Sequence, residues 1–219
     1  MGDKIMSENE RVEHSRQTVL NRRSVLVATA SLILAHDAVG AEKHASQPQV
    51  LQEGDLFKLD DEPETIIEKA YQLGYKYEKE NGGCARCTVA ALQDALPMVA
   101  VDEGVFRTAT CLDGGATPVA EQNCGGFTGA GIIIGFVCGS RRNGSFHGSS
   151  KLAHRLLHQV YHRFAKEYGT VLCRDVRKGV QGDCPEAVGR AARWTAEVLL
   201  AEFCGWKAPE KETCEQEPK

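Results

Sequence analysis

From Cys124 to Gly139 the chain reads Cys-Gly-Gly-Phe-Thr-Gly-Ala-Gly-Ile-Ile-Ile-Gly-Phe-Val-Cys-Gly, and no other stretch limits the fold as much. Gly125 and Gly129, then Gly131, Gly135 and Gly139, are four residues apart. On a helix that spacing stacks the missing side chains and lets another backbone approach closely. Glycine costs about 1 kcal/mol relative to alanine inside a helix, so this many need a packing or ligand reason. With Ile132, Ile133, Ile134, Phe136 and Val137, the run predicts a central buried helix, a buried strand being the alternative for a short apolar run.

Elsewhere 3.6-residue periodicity supplies the partners for that helix. Glu62-Pro63-Glu64 opens a helix with Ile66, Ile67, Ala70, Leu73 and Tyr77 on its apolar side, and Asn81-Gly82-Gly83 stops it. A second runs from Cys84 to about Leu96, with Val89, Leu92 and Leu96 inward, and ends at Pro97. A short helical piece is expected over Val101 to Cys111, and a loop over Leu112 to Pro118. After the turn Arg141-Arg142-Asn143-Gly144-Ser145, a strong helix spans about Ser150 to Tyr168, its apolar face Ala153, Leu157, Val160, Tyr161 and Phe164, its cap Gly169. Asp183-Cys184-Pro185-Glu186 starts the last one, with Val188, Ala191, Ala192, Thr195, Val198, Leu199 and Phe203 as its stripe. No alternating strand pattern is present, so the fold expected is mainly α: a compact bundle of about six helices with a central glycine-rich helix.

At 219 residues, 42% hydrophobic and 26% charged, the chain has material for one sizeable core. A net charge of -4 with scattered Lys and Arg leaves no basic footprint for a phosphate backbone, so nucleic acid is not an expected partner. The divisions expected are a signal peptide over 1–41, a polar linker over 42–61, a folded domain over 62–206 and a charged tail over 207–219.

Arg22-Arg23, an apolar stretch from Val25 to Ala35 and the small residues Ala38-Val39-Gly40-Ala41 form a signal peptide, cleaved after Ala41. The apolar stretch is about half the ~20 residues of a spanning helix. The paired arginines resemble a twin-arginine translocation signal, with Asn21, Val25 and Val27 departing from its pattern. That resemblance implies export of a folded protein by the twin-arginine translocase to the periplasm.

All nine cysteines, 84, 87, 111, 124, 138, 173, 184, 204 and 214, follow this leader. Cys84, Cys124 and Cys184 fall at predicted helix starts, where free N–H groups and the positive end of the helix dipole favour a thiolate. Cys173 precedes Cys184 by eleven residues across a glycine-containing turn, close enough to face the same site. Four such sulfurs suit an iron–sulfur cluster or zinc. Two other readings stay open: a Cys84-Cys87 dithiol couple, although no βαβ pattern surrounds it, and structural disulfides, in which an odd total leaves one thiol over. Cys111, Cys138 and Cys204 lie among apolar residues and are expected as buried packing thiols; Cys214 has no assigned role.

Gly83-Cys84-Ala85, Asn123-Cys124-Gly125-Gly126-Phe127-Thr128-Gly129-Ala130-Gly131, Cys173-Arg174-Asp175 and Asp183-Cys184-Pro185-Glu186-Ala187-Val188 together resemble the redox-active C_GCAxxG_C_C family. Gly126 stands where members often place alanine. Part of that family is similar to the split-Soret cytochrome c, which combines haems with an iron–sulfur site. The resemblance implies an electron-transfer protein with a cluster on Cys84, Cys124, Cys173 and Cys184, an unidentified redox partner protein and a homodimer. Covalent haem is not expected, because Cys84-Ala85-Arg86-Cys87 is followed by Thr88 where attachment needs histidine.

His154, His158 and His162 recur every four residues along one edge of a helix, a spacing that chelates metal when a third ligand is near. No such ligand adjoins them in sequence, so a polar surface flank is expected; His147 is a loop residue. The motifs of P-loop nucleotide hydrolysis, of α/β-hydrolases and of zincin proteases are absent, and Gly125 to Gly129 lacks the dinucleotide-binding spacing.

Overall fold

Helices form where the periodicity is strongest and stop at glycines. The computed structural model describes residues 50–140 and 150–209. Among these are seven α-helices: α1 Pro63–Asn81, α2 Cys84–Ala95, α3 Glu103–Thr108, α4 Gly125–Cys138, α5 Lys151–Tyr168, α6 Cys173–Gly179 and α7 Cys184–Cys204. Two 3-10 turns, Ala109–Cys111 and Gly114–Ala116, lie between α3 and α4. The fold is mainly α, and the described residues form no strand beyond one isolated antiparallel bridge between Asn123 and Leu172. The leader, the Arg141–Ser145 turn, His147, Cys214 and the tail from 210 lie outside the described residues.

Two consecutive left-handed glycines, Gly82 at φ 66° and Gly83 at φ 87°, turn the chain sharply enough that α2 begins at Cys84 with no loop. α7 then packs against α1, α2, α4 and α5. Its Val188, Ala191, Ala192, Thr195, Ala196, Leu199, Leu200 and Phe203 are sealed from solvent, and Thr195 hands its hydroxyl proton to the Ala191 carbonyl at 2.7 Å. Each large apolar side chain so buried contributes roughly 1.5–3 kcal/mol.

α4 is the helix that glycine makes possible. A Cβ at Gly129 would sit 2.7 Å from Thr88 Cβ and 2.8 Å from the Ala85 carbonyl, and one at Gly125 would sit 2.6 Å from both Ala85 N and Cys84 Cβ. Gly126 faces α7 in the same way, 2.8 Å from Ala191 Cβ. Ile133, Ile134 and Val137 fill the core, while Gly135 lies on the outer side with nothing within 4 Å of its Cβ position.

Four details depart from the sequence expectations. α6 occupies part of what reads as a turn, because Val176 supplies one buried anchor in an otherwise charged heptapeptide, too little for periodicity to reveal. The buried stripe of α5 is Leu156, Val160 and Phe164, so Tyr161 lies 41% exposed, stacked edge-on to Phe127. Cys111 is exposed because its 3-10 turn presents it outward, whereas Cys138 is buried and Cys204 half-buried. Residues of the expected linker dock on the core: Leu51 is buried, its N–H donates to Val137 O at 2.9 Å, and Phe57 N–H donates to Phe203 O at 2.6 Å.

Gly129→Ala is expected to destabilise the fold by about 1–3 kcal/mol through overpacking against α2. Gly135→Ala, at an open helical position, is expected to stabilise it by roughly 0.5–1 kcal/mol. Thermal unfolding of the pair checks both signs.

Candidate functional site

The tight α1–α2 turn and the α2–α4 crossing place two sulfurs side by side. Cys84 is the first residue of α2 and Cys124 is the N-cap of α4, whose Gly125 lies against Cys84. The other two come from the opposite wall. The Asn123–Leu172 bridge ties Cys124 to Cys173 through three backbone hydrogen bonds, Cys124 N–H to Val171 O at 2.7 Å, Cys173 N–H to Gln122 O at 2.9 Å and Arg174 N–H to Ala120 O at 3.2 Å. Cys173 opens α6, and the four-residue link 180–183, with Gln181 and Gly182 at positive φ, delivers Cys184 to the start of α7. Thus each of the four cysteines singled out by sequence lies at a helix start.

Cys84, Cys173 and Cys184 line one cleft of about 690 Å³, together with Glu78, Asp113 and Arg177 among others. Cys124 is buried at 4% exposure, and Gly114 lies against the Cys173 side chain. Asp113 accepts the Gly115 N–H at 3.0 Å and Thr128 donates to Leu112 O, which hold this loop over the sulfurs.

The charge states separate the thiols. Cys184 is held down at about 7, chiefly by its interaction with the Cys84 thiol, and Cys84 is pushed up by the same interaction, burial and Glu78 adding to the rise. Burial drives Cys124 up to about 12 against the Gly126 and Phe127 amides, and the neighbouring Cys173 and Cys184 raise it further. Cys173 is raised by burial and by Cys184, with Arg177 opposing. The cleft therefore holds one easily ionised thiol, Cys184, beside the resistant Cys84 and Cys173, with Cys124 resistant and buried.

Glu78 is the residue that sequence reading missed. It is 9% exposed on the buried stripe of α1 and accepts the Cys84 S–H at 3.1 Å on Oε1. Its Oε2 has no partner, and burial holds its carboxyl above the ordinary range. The signal was present: an acid four residues after Gly74 on an apolar stripe, six before a cysteine.

Cys87 stands apart from the cleft. Its thiol donates to Gly82 O at 3.2 Å and burial lifts it to about 12. His154, His158 and His162 are exposed on α5, as a polar flank should be. All eight described cysteines are free. The donor types suit an iron–sulfur cluster, but among the described residues no three His, Cys, Asp or Glu side chains are set about one point as a metal site needs.

One family profile, described as "Putative redox-active protein (C_GCAxxG_C_C)", matches residues 83–198, a span that contains all four site cysteines. No curated protein and no solved structure matches the chain.

Among the four site cysteines, iodoacetamide is expected to label Cys184 first, at a rate that rises as pH passes through about 7 and then levels off as the thiolate saturates. Cys84→Ala removes the neighbour that holds Cys184 down, so the midpoint should move up toward the ordinary thiol value near ~8.5. Peptide mass spectrometry across a pH series reads both; equal labelling of all four would contradict the charge assignment.

Proposed function

The chain belongs to the C_GCAxxG_C_C family, and from that premise we propose a thiol-based redox protein in which Cys184 and Cys84 interconvert between dithiol and disulfide. The observation that supports this reading is that Cys84 and Cys184 line one cleft, where Cys84 donates its S–H to the buried Glu78 carboxyl and Cys184 is the thiol held lowest.

The cycle balances without a further co-reactant. The Cys184 thiolate attacks a substrate disulfide, forms a mixed disulfide and expels one substrate thiolate. Cys84 then passes its proton to the Glu78 carboxylate and attacks the Cys184 sulfur. The Cys84–Cys184 bond forms, the second substrate thiolate leaves, and two electrons have moved from protein to substrate; the reverse sequence oxidises a dithiol. A carboxyl whose pKa is raised by burial is the stronger base for this step.

A second reading rests on a different observation. Cys84, Cys124 and Cys184 lie at the N-termini of helices of at least twelve residues, and Cys173 shares a cleft with Cys84 and Cys184. Helix N-termini stabilise negative charge, which favours a tetrathiolate iron–sulfur cluster on these four and one-electron transfer to a partner protein. In either reading we take the Arg22-Arg23 leader as a twin-arginine signal and the periplasm as the place of action. Among the described residues no helix is long and apolar enough to cross a membrane.

One preparation separates the two. After anaerobic purification, colourless protein that closes a Cys84–Cys184 bridge reversibly in glutathione buffers, located by peptide mapping, supports the dithiol cycle. Stoichiometric iron and acid-labile sulfide, lost in Cys173→Ser, would replace it with the cluster. Under the dithiol reading Glu78→Gln is expected to slow resolution of a Cys184 mixed disulfide by about a hundredfold, the common scale of general-base catalysis, while the first, Cys184-dependent step proceeds. Stopped-flow release of a chromogenic thiol measures the two steps apart.

A further inference from the structure

Away from the cysteine cleft, α1, α2 and Phe106 of α3 enclose a second cavity of about 490 Å³, lined by Tyr77, Asn81, Arg86, Cys87, Asp94 and Phe106 among others. Arg86 sets its character. Its Nε is sealed from solvent with no hydrogen-bond partner. Among the described residues its guanidinium has no ion pair, as is true of Arg107 and Arg177, whereas Arg155, Arg163, Arg174, Arg190 and Arg193 each hold a carboxylate. It is also the third residue of α2, so the cation lies at the positive end of that helix, where a cation is disfavoured.

The guanidinium lies against the α1–α2 turn: a Cβ at Gly83 would fall 2.7 Å from Arg86 Nη2 and 3.0 Å from Nε. The nearby acids form no salt bridge with it. Glu78 feels the Arg86 charge but accepts the Cys84 S–H, and Asp94 stands on the cavity wall with Tyr77 OH donating to it at 2.7 Å.

We propose that this cavity is a binding site for a small monoanionic carboxylate with an apolar body. The guanidinium fork matches a carboxylate in two parallel hydrogen bonds. The Phe106 and Tyr77 rings with Ala90 give the apolar wall, and the volume lies within the usual range for small-molecule sites. Asp94 opposes a second negative charge, which selects a carboxylate over a phosphate dianion.

Sodium benzoate is the probe, titrated calorimetrically into the full chain, with benzamide as its neutral isostere and phenyl phosphate as a dianion. Saturable one-to-one benzoate binding is expected, at least tenfold tighter than either, and weakened at least tenfold in Arg86→Gln. Because Arg86→Gln can disturb the turn it lies against, Asp94→Asn provides a test that a folding defect does not imitate: benzoate should bind several-fold more tightly. The assignment is overturned by no benzoate binding, by benzamide or phenyl phosphate binding as well as benzoate, or by an unchanged affinity in Asp94→Asn.

Discussion

Where α4 crosses α2, Gly125 and Gly129 bring backbone against backbone, and the arrangement of the molecule follows from that crossing. With side chains in the way, α4 would stand further off, and Cys124 would part from Cys84. Gly126 makes the same close approach to Ala191 on α7, so one short helix is fitted on two sides. The helix propensity lost at these glycines, about 1 kcal/mol each, is offset by the packing of Ile133, Ile134 and Val137, which are almost fully buried. Contacts with α2, α5 and α7 keep α4 at the middle of the bundle.

Burial and charge work against each other in the cysteine cleft. Cys124 and Cys173 resist ionisation chiefly because the packing around them removes water, and Cys84 chiefly because of its interaction with Cys184, burial adding to it. Cys184 escapes because the Cys84 thiol stabilises its anion. Glu78 stands behind Cys84 as the one carboxyl in hydrogen-bond contact with a site sulfur. The result is a graded set of sulfurs within one cleft, with the reactive member half-buried at its edge.

Much of this was legible from residue order. The helix pattern of α1, α2, α4, α5 and α7, the stop at Gly82-Gly83 and the placing of Cys84, Cys124 and Cys184 at helix starts all follow from periodicity, glycine placement and spacing. What escaped notice depends on tertiary contact. α6 is too short and charged to show a stripe, and its helicity depends on the Val176 anchor and on Leu172 O accepting the Val176 N–H at 3.0 Å. Cys111 has apolar neighbours in sequence, yet a 3-10 turn points it outward. Glu78 looked like one more charged residue on a mixed helix, because its meaning lies in a thiol delivered by the next helix. The stripe of α5 was misjudged around Tyr161 because Leu156 and Leu157 fit the period about equally well.

The order in which the chain supplies its sulfurs sets when the site can exist. Cys84 and Cys124 depend on a crossing between helices α2 and α4, Cys173 on the bridge at Leu172, and Cys184 arrives at the start of α7, the C-terminal helix, whose most extensive packing is against α1 near the beginning of the domain. A partly unfolded chain therefore holds its thiols apart, because Cys84 and Cys184 share a cleft only when the first and last of the described helices have docked.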